Sequence, residues 1–247
     1  MQLIYLKFLG NFTEGLRRFG LRNLEPEIID RAVAVVRRTY MDWNIDVRLI
    51  KPTDYDEYTT IEIGGPDPNG AGLFGLDNNE ALDRGNLRLN DYIGGFNAAS
   101  DHKGVYGFGG VFIESFLGFS PRAATPLPIA SPRFDDLFGV FVPEYGGKPA
   151  DRAELSGSER QAQLEDAVRA LGALIGGTIA HEFGHSLGMA VVPGGGSHNP
   201  SDLDRESLAS IEAWRTHSGL PNLLPPLRID ASSNSWPIER ADAVLSI

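Results

Sequence analysis

The stretch from Ser158 to Gly188 reads as one long helix, and it constrains the chain more than any other segment. Ser158 suits an N-cap, and Gln161 three residues later completes an S-x-x-Q capping box. Glu159, Glu165 and Asp166 lie toward the positive end of the helix dipole. Apolar residues recur at Leu164, Val168, Leu171, Ile175 and Ile179, in steps of three and four. That stripe predicts packing against a neighbouring layer, most simply a sheet. The segment Leu174 to Ala180 is small and apolar, with Gly176 and Gly177 inside it. Each glycine costs a helix about 1 kcal/mol relative to alanine, so both call for a close neighbour. A membrane span is excluded by length, because His181, Glu182 and His185 soon interrupt the apolar run.

Near its end this helix carries His181-Glu182-Phe183-Gly184-His185, an instance of H-E-x-x-H. Residues i and i+4 share a helix face, so the two imidazoles can address one ion. Glu182 is one step round. There it can take a proton from a water on that ion and is wrongly placed to be a ligand itself. The chain holds five histidines in 247 residues, so two of them at this spacing is a specific signal. The alternative is a buried helix with two hydrogen-bonded histidines. Gly188 follows as the residue expected where a helix ends in a left-handed turn.

The string His181-Glu182-Phe183-Gly184-His185-Ser186-Leu187-Gly188 resembles the metzincin clan of zinc metallopeptidases, whose pattern is H-E-x-x-H-x-x-G-x-x-H. The match covers His181, Glu182, His185 and Gly188. The clan's third histidine falls at Val191, which cannot bind zinc. Downstream ligand candidates are His198, His217, Asp202, Asp204 and Glu206. His198 is preferred, since Pro193-Gly194-Gly195-Gly196-Ser197 can lengthen the turn and still deliver an imidazole. The clan also carries a methionine turn beneath the metal. Met1, Met41 and Met189 all precede His198, leaving Leu223 and Leu224 as candidates for that floor. A gluzincin-type site would instead take Glu206 from a helix over Ser201 to Thr216. The carboxylates of that segment equally suit the first turns of a helix.

The resemblance implies an α+β, zincin-like fold. Its twisted mixed sheet is backed by two long helices, the second carrying H-E-x-x-H, with a smaller C-terminal subdomain below the cleft. The N-terminal pattern agrees. Leu3–Phe8 reads as a strand, too short and lacking the charged start of a signal peptide. Pro26 opens a helix to about Asp42, with Ile28, Ala32, Val35 or Val36, and Thr39 inward. Ile45–Ile50, Thr59–Ile63 and Val111–Phe116 read as strands, and Leu87–Asn90 as a weaker one. In such folds an edge strand borders the cleft, and a peptide substrate adds beside it through main-chain hydrogen bonds. Gly64–Gly70 and Asp77–Glu80 are oxygen-rich loops that suit a structural calcium or plain turns, the commoner use of such residues. Residues 118–157, rich in proline and glycine with little periodicity, read as a long surface excursion.

Composition sets the outer bounds. A chain of 247 residues, 42% hydrophobic, can bury a proper core. The expected organisation is one catalytic domain of two subdomains, 1–188 and 189–247. A net charge of −11 disfavours nucleic acid and anionic membrane surfaces as partners. With no cysteine, any zinc must use imidazole, carboxylate and water. No secretory leader is legible, although the resemblance favours an extracellular protein, and a start inside a longer precursor would remove a leader. The expected activity is zinc-dependent endopeptidase, with His181, His185 and His198 on one zinc ion and Glu182 as general base. The alternatives are a metallopeptidase-like binding module without turnover and a zinc hydrolase of a non-peptide amide. Substrate preference and oligomeric state are not legible, with a monomer favoured.

Overall fold

The computed structural model describes residues 1–79, 89–98 and 104–187, together with the backbone of 201–202 and 227–228. The chain is a mixed α/β protein with a mixed sheet. Strand β1 (Gln2–Phe8) leads into helix α1 (Gly10–Arg18), and a 3₁₀ turn at Arg22–Leu24 leads into helix α2 (Glu25–Thr39). Strands β2 (Ile45–Arg48) and β3 (Thr59–Gly64) follow, then the short strands β4 (Gly75–Leu76), β5 (Tyr92–Ile93), β6 (Phe96–Asn97), β7 (Gly107–Phe108) and β8 (Gly110–Phe112). Helix α3 (Pro132–Phe134) runs into a π-helical turn at Asp135–Gly139, and α4 (Gln161–Ser186) is the long helix. The backbone at 201–202 pairs in parallel with that at 227–228.

The main sheet runs β2-β1-β3-β8-β4. β1 pairs in parallel with β2 on one side and β3 on the other. The free side of β3 is shared by β5 along its first half and β8 along its second. Only β4, at the end, is antiparallel, with Gly75 opposite Val111 and Leu76 opposite Gly110. Parallel central strands covered on both faces read as continuous apolar runs rather than alternations. β1 and β3 follow that rule, with Leu3, Ile4, Leu6, Ile61 and Ile63 all buried.

The two long helices, α2 and α4, are each other's main neighbours, and α4 also touches β3, β4 and β8. Their close approach is set by two glycines one turn apart. A β-carbon on Gly172 would stand 2.5 Å from Arg31 Cγ, and one on Gly176 would stand 2.5 Å from the Ala32 carbonyl oxygen and 2.7 Å from Val35 Cβ. Gly176 thus meets the close neighbour expected of it. Gly177 does not, since nothing lies within 4 Å of a β-carbon there. The apolar stripe is largely buried at Leu164, Leu171, Ile175 and Ile179. It serves a helix as well as the sheet.

Three other expectations are corrected. Ser158 precedes the helix rather than capping it: α4 begins at Gln161 with Arg160 at the N-cap, Ser158 Oγ accepts from the Arg160 N–H, and Gln161 Oε1 accepts from Gly157. The apolar run Val111–Phe116 is strand only to Phe112, and Ile113–Phe119 winds into a 3₁₀ helix. Short apolar runs satisfy either period, so pattern alone could not separate them. Residues 118–157 are not a surface excursion. Phe134, Phe138, Phe141, Val142 and Ala150 are buried in the core, and the Phe138 ring packs edge-on against Phe19 with centroids 5.7 Å apart. Of Leu87–Asn90, Leu89 and Asn90 lie outside any strand, and the other two lie outside the described residues. Helix α1 was not anticipated; its Phe12 and Leu16 are fully buried.

No helix among the described residues is long and apolar enough to cross a membrane. The proposed subdomain boundary at Gly188 lies outside the described residues.

Candidate functional site

Helix α4 delivers the motif where the sheet ends. Its last turns hold Glu182 and Phe183 in the core, with Glu182 only 4% exposed, while His181 keeps an open face and His185 is half-buried. The helix is anchored from α2. Tyr40 Oη donates to the Ala180 carbonyl oxygen at 2.6 Å, in a buried bond just before His181. The Tyr40 ring also meets Phe183 edge-on, centroids 5.1 Å apart. Ser186 Oγ donates to the Phe183 carbonyl at 2.9 Å, satisfying one of the carbonyls a helix end leaves open.

The two histidines converge. Nε2 of His181 and Nε2 of His185 are 3.2 Å apart, and their ring planes are nearly perpendicular at 89°. Two nitrogens bound at about 2.0–2.1 Å to one tetrahedral ion stand about 3.3–3.4 Å apart. The observed separation lies close to that value. Burial lowers the pKa of both imidazoles, and a charge on His185 lowers that of His181 further. Both are thus neutral at neutral pH, as metal ligation requires.

Glu182 points at the sheet edge. Its carboxylate lies against the α-carbon of Gly75 in β4, where an added β-carbon would stand 2.3 Å from Oε1. Burial pushes its pKa up to about 8, the nearby charge of Asp77 adds to the rise, and a hydrogen bond from the Asp77 backbone N–H opposes it. Asp77 is itself buried, with Oδ1 accepting from the Asn79 N–H at 3.0 Å. The next residue, Asn78, ties the neighbouring loops together. Its Nδ2 donates to the carbonyls of Gly94, Gly95 and Gly107 at 3.0–3.2 Å. Asp77-Asn78-Asn79, read from sequence as a loop, is thus the anchor of the strand that faces the motif.

Of the residues singled out from sequence, His181, Glu182 and His185 come together. His198, Asp204, Glu206, His217 and Gly188 lie outside the described residues, as does the side chain of Asp202. Among the described residues no three His, Cys, Asp or Glu side chains converge as a ligand set. The oxygen-rich loop Gly64–Gly70 is a turn closed by Asp67. One carboxylate oxygen accepts from the backbone and side-chain amides of Asn69, and the other from the Ala71 and Leu73 N–H groups. Those oxygens are thereby engaged in the turn itself. Tyr40, Gly75 and Asp77 were missed as site neighbours. A two-residue strand has no period to detect, and Tyr40 is distant in sequence.

Comparison with protein-family models, with curated proteins and with solved structures gave no match. The reading of the site rests on its own geometry.

The electrostatics predict an unusual pH response of the metal-free protein. Glu182 is raised from 4.5 to about 8 in the fold, so between those values the unfolded chain is ionised while the native one holds its proton. Stability therefore falls as pH rises through that window. The depressed histidines act oppositely, but only below their ordinary value of 6.5. Between pH 6.5 and 8 the Glu182 contribution is the one that acts among the described residues, and it costs metal-free wild type about 2 kcal/mol. Glu182→Gln removes that slope. Chemical denaturation of both proteins at the two pH values checks this; parallel slopes would refute it.

Proposed function

We propose that this chain is a zinc-dependent endopeptidase with a metzincin-like site on a zincin-like fold. The observation that carries the reading is the 3.2 Å convergence of two neutral imidazole nitrogens beside a buried glutamate one residue along the same helix. The terminal antiparallel strand β4 beside α4 supports a peptide, rather than a small amide, as substrate. An extended chain can add to such an edge through main-chain hydrogen bonds. His181 and His185 are two of the ligands, and His198 is proposed as the third. An extracellular setting accompanies this reading by resemblance.

Zinc held there would supply a Lewis acid for the scissile carbonyl and bring the pKa of a water near 7. The chain's own residues do the rest. Glu182 accepts the proton of the attacking water as its oxygen bonds to the carbonyl carbon. It then delivers that proton to the amide nitrogen as the C–N bond breaks, leaving a carboxylic acid and an amine.

Metal analysis after dialysis against zinc, with cleavage of an unstructured protein before and after chelation, tests the proposal. One zinc per chain and chelator-reversible cleavage are expected. Full cleavage by the metal-free protein would sink it.

A further inference from the structure

We propose that the main chain of β4 is the seat of the Glu182 carboxylate, and that Gly75 is a positioning residue for the general base. This deepens the peptidase reading and rests on it for its catalytic half. Around a β-carbon built on Gly75 the three nearest heavy atoms are all from Glu182: Oε1 at 2.3 Å, and Cδ and Cγ both at 2.8 Å. No other residue comes as near to a side chain there. The Gly75 backbone lies outside the positive-φ region that favours glycine, so alanine is conformationally admissible. The Glu182 side chain is thus what a residue larger than glycine would meet first.

The seat is also rigid. Gly75 pairs with Val111 of β8, so the strand cannot recede without breaking the sheet. Two residues on, the buried Asp77 lies close enough for its charge and main chain to act on the same carboxylate. Asn78 then binds the carbonyls of Gly94, Gly95 and Gly107, and its own carbonyl accepts from Asn97 Nδ2 at 2.5 Å. Behind Glu182, Tyr40 holds α4 through the Ala180 carbonyl. The general base is therefore clamped between a helix that carries it and a strand whose bare α-carbon receives it. Main-chain atoms are well suited to this task, because they lose no rotamer freedom when they hold a side chain in place.

The test is a double-substitution cycle with two readouts. In the metal-free protein at pH 6, Gly75→Ala should lower the Tm by about 3–8 °C. In a Glu182→Ala background the same substitution should change it by no more than about 1 °C, because the β-carbon then occupies vacated space. Equal shifts in both backgrounds overturn the seat. In the zinc-loaded protein, Gly75→Ala should lower kcat for peptide cleavage about 100-fold, with KM and zinc content unchanged. Glu182→Asp, one methylene shorter, should cost less in the Gly75→Ala background than alone. Unchanged kcat in Gly75→Ala overturns the positioning role. Thermal coupling in a protein that cleaves no peptide leaves the seat standing and overturns the peptidase reading instead.

Discussion

Glu182→Gln is expected to lower kcat for peptide cleavage by about 10²–10⁴-fold while zinc content and fold persist. Glutamine keeps the shape of the side chain, so the packing against Gly75 survives. It cannot accept a proton, so the step that depends on Glu182 is lost. The same change is expected to raise the stability of the metal-free protein at pH 8, because it removes a buried group that ionises only at a cost. This pairing separates the proposed role from a structural one. A glutamate kept for stability would destabilise the fold when replaced, and one kept for chemistry leaves it sturdier and inactive. Steady-state kinetics on the zinc-loaded variant, with thermal denaturation of its metal-free form, read both halves. Activity within threefold of wild type would end the general-base assignment.

The second large effect lies in the helix pair, at two adjacent glycines of opposite meaning. Gly177→Ala is expected to stabilise the protein by about 0.5–1 kcal/mol, since alanine favours a helix and nothing lies within 4 Å of the new methyl group. Gly176→Ala gains the same propensity and meets the Ala32 carbonyl oxygen at 2.5 Å, Val35 Cβ at 2.7 Å and Ala32 Cα at 3.1 Å. Two of those atoms are backbone, so α2 and α4 must part. The net result is a loss of about 1–3 kcal/mol, and Gly176→Val costs about 3 kcal/mol or more. Parting the helices also strains the Tyr40 bond to the Ala180 carbonyl, one residue before the first histidine. Zinc affinity should therefore fall in the Gly176 variants and hold in Gly177→Ala. Equal Tm values for the two alanine variants would show that the helices are not in contact through Gly176.

The two glycines also show where sequence reading stops. A Gly-Gly pair within a helical pattern signals close approach, but the pattern does not say which glycine faces the neighbour. Gly172, which makes a contact as close as that of Gly176, was passed over because it stands alone. Aromatic residues in 118–157 were invisible for a similar reason. Phe134 reaches the core from a three-residue helix, Phe138 from a π turn and Phe141 from the turn after it, and segments so short show neither the 3.6 nor the 2.0 residue period on which pattern recognition depends.

By itself, the sequence determined the helix, the spacing and the residue types of the motif: His181 and His185 share a face because 3.6 residues make a turn, and Glu182 is carried round by the same geometry. It also determined that Leu3–Phe8, Ile45–Ile50 and Thr59–Ile63 are extended, and the structure has strands at Gln2–Phe8, Ile45–Arg48 and Thr59–Gly64; their parallel pairing came from the fold. Only the tertiary structure decided what faces the motif. A two-residue strand, its Gly75 and the buried Asp77 meet Glu182 from more than 100 residues upstream. Neither periodicity nor propensity encodes a contact of that separation, because it depends on sheet register and on the distance at which two helices can pack.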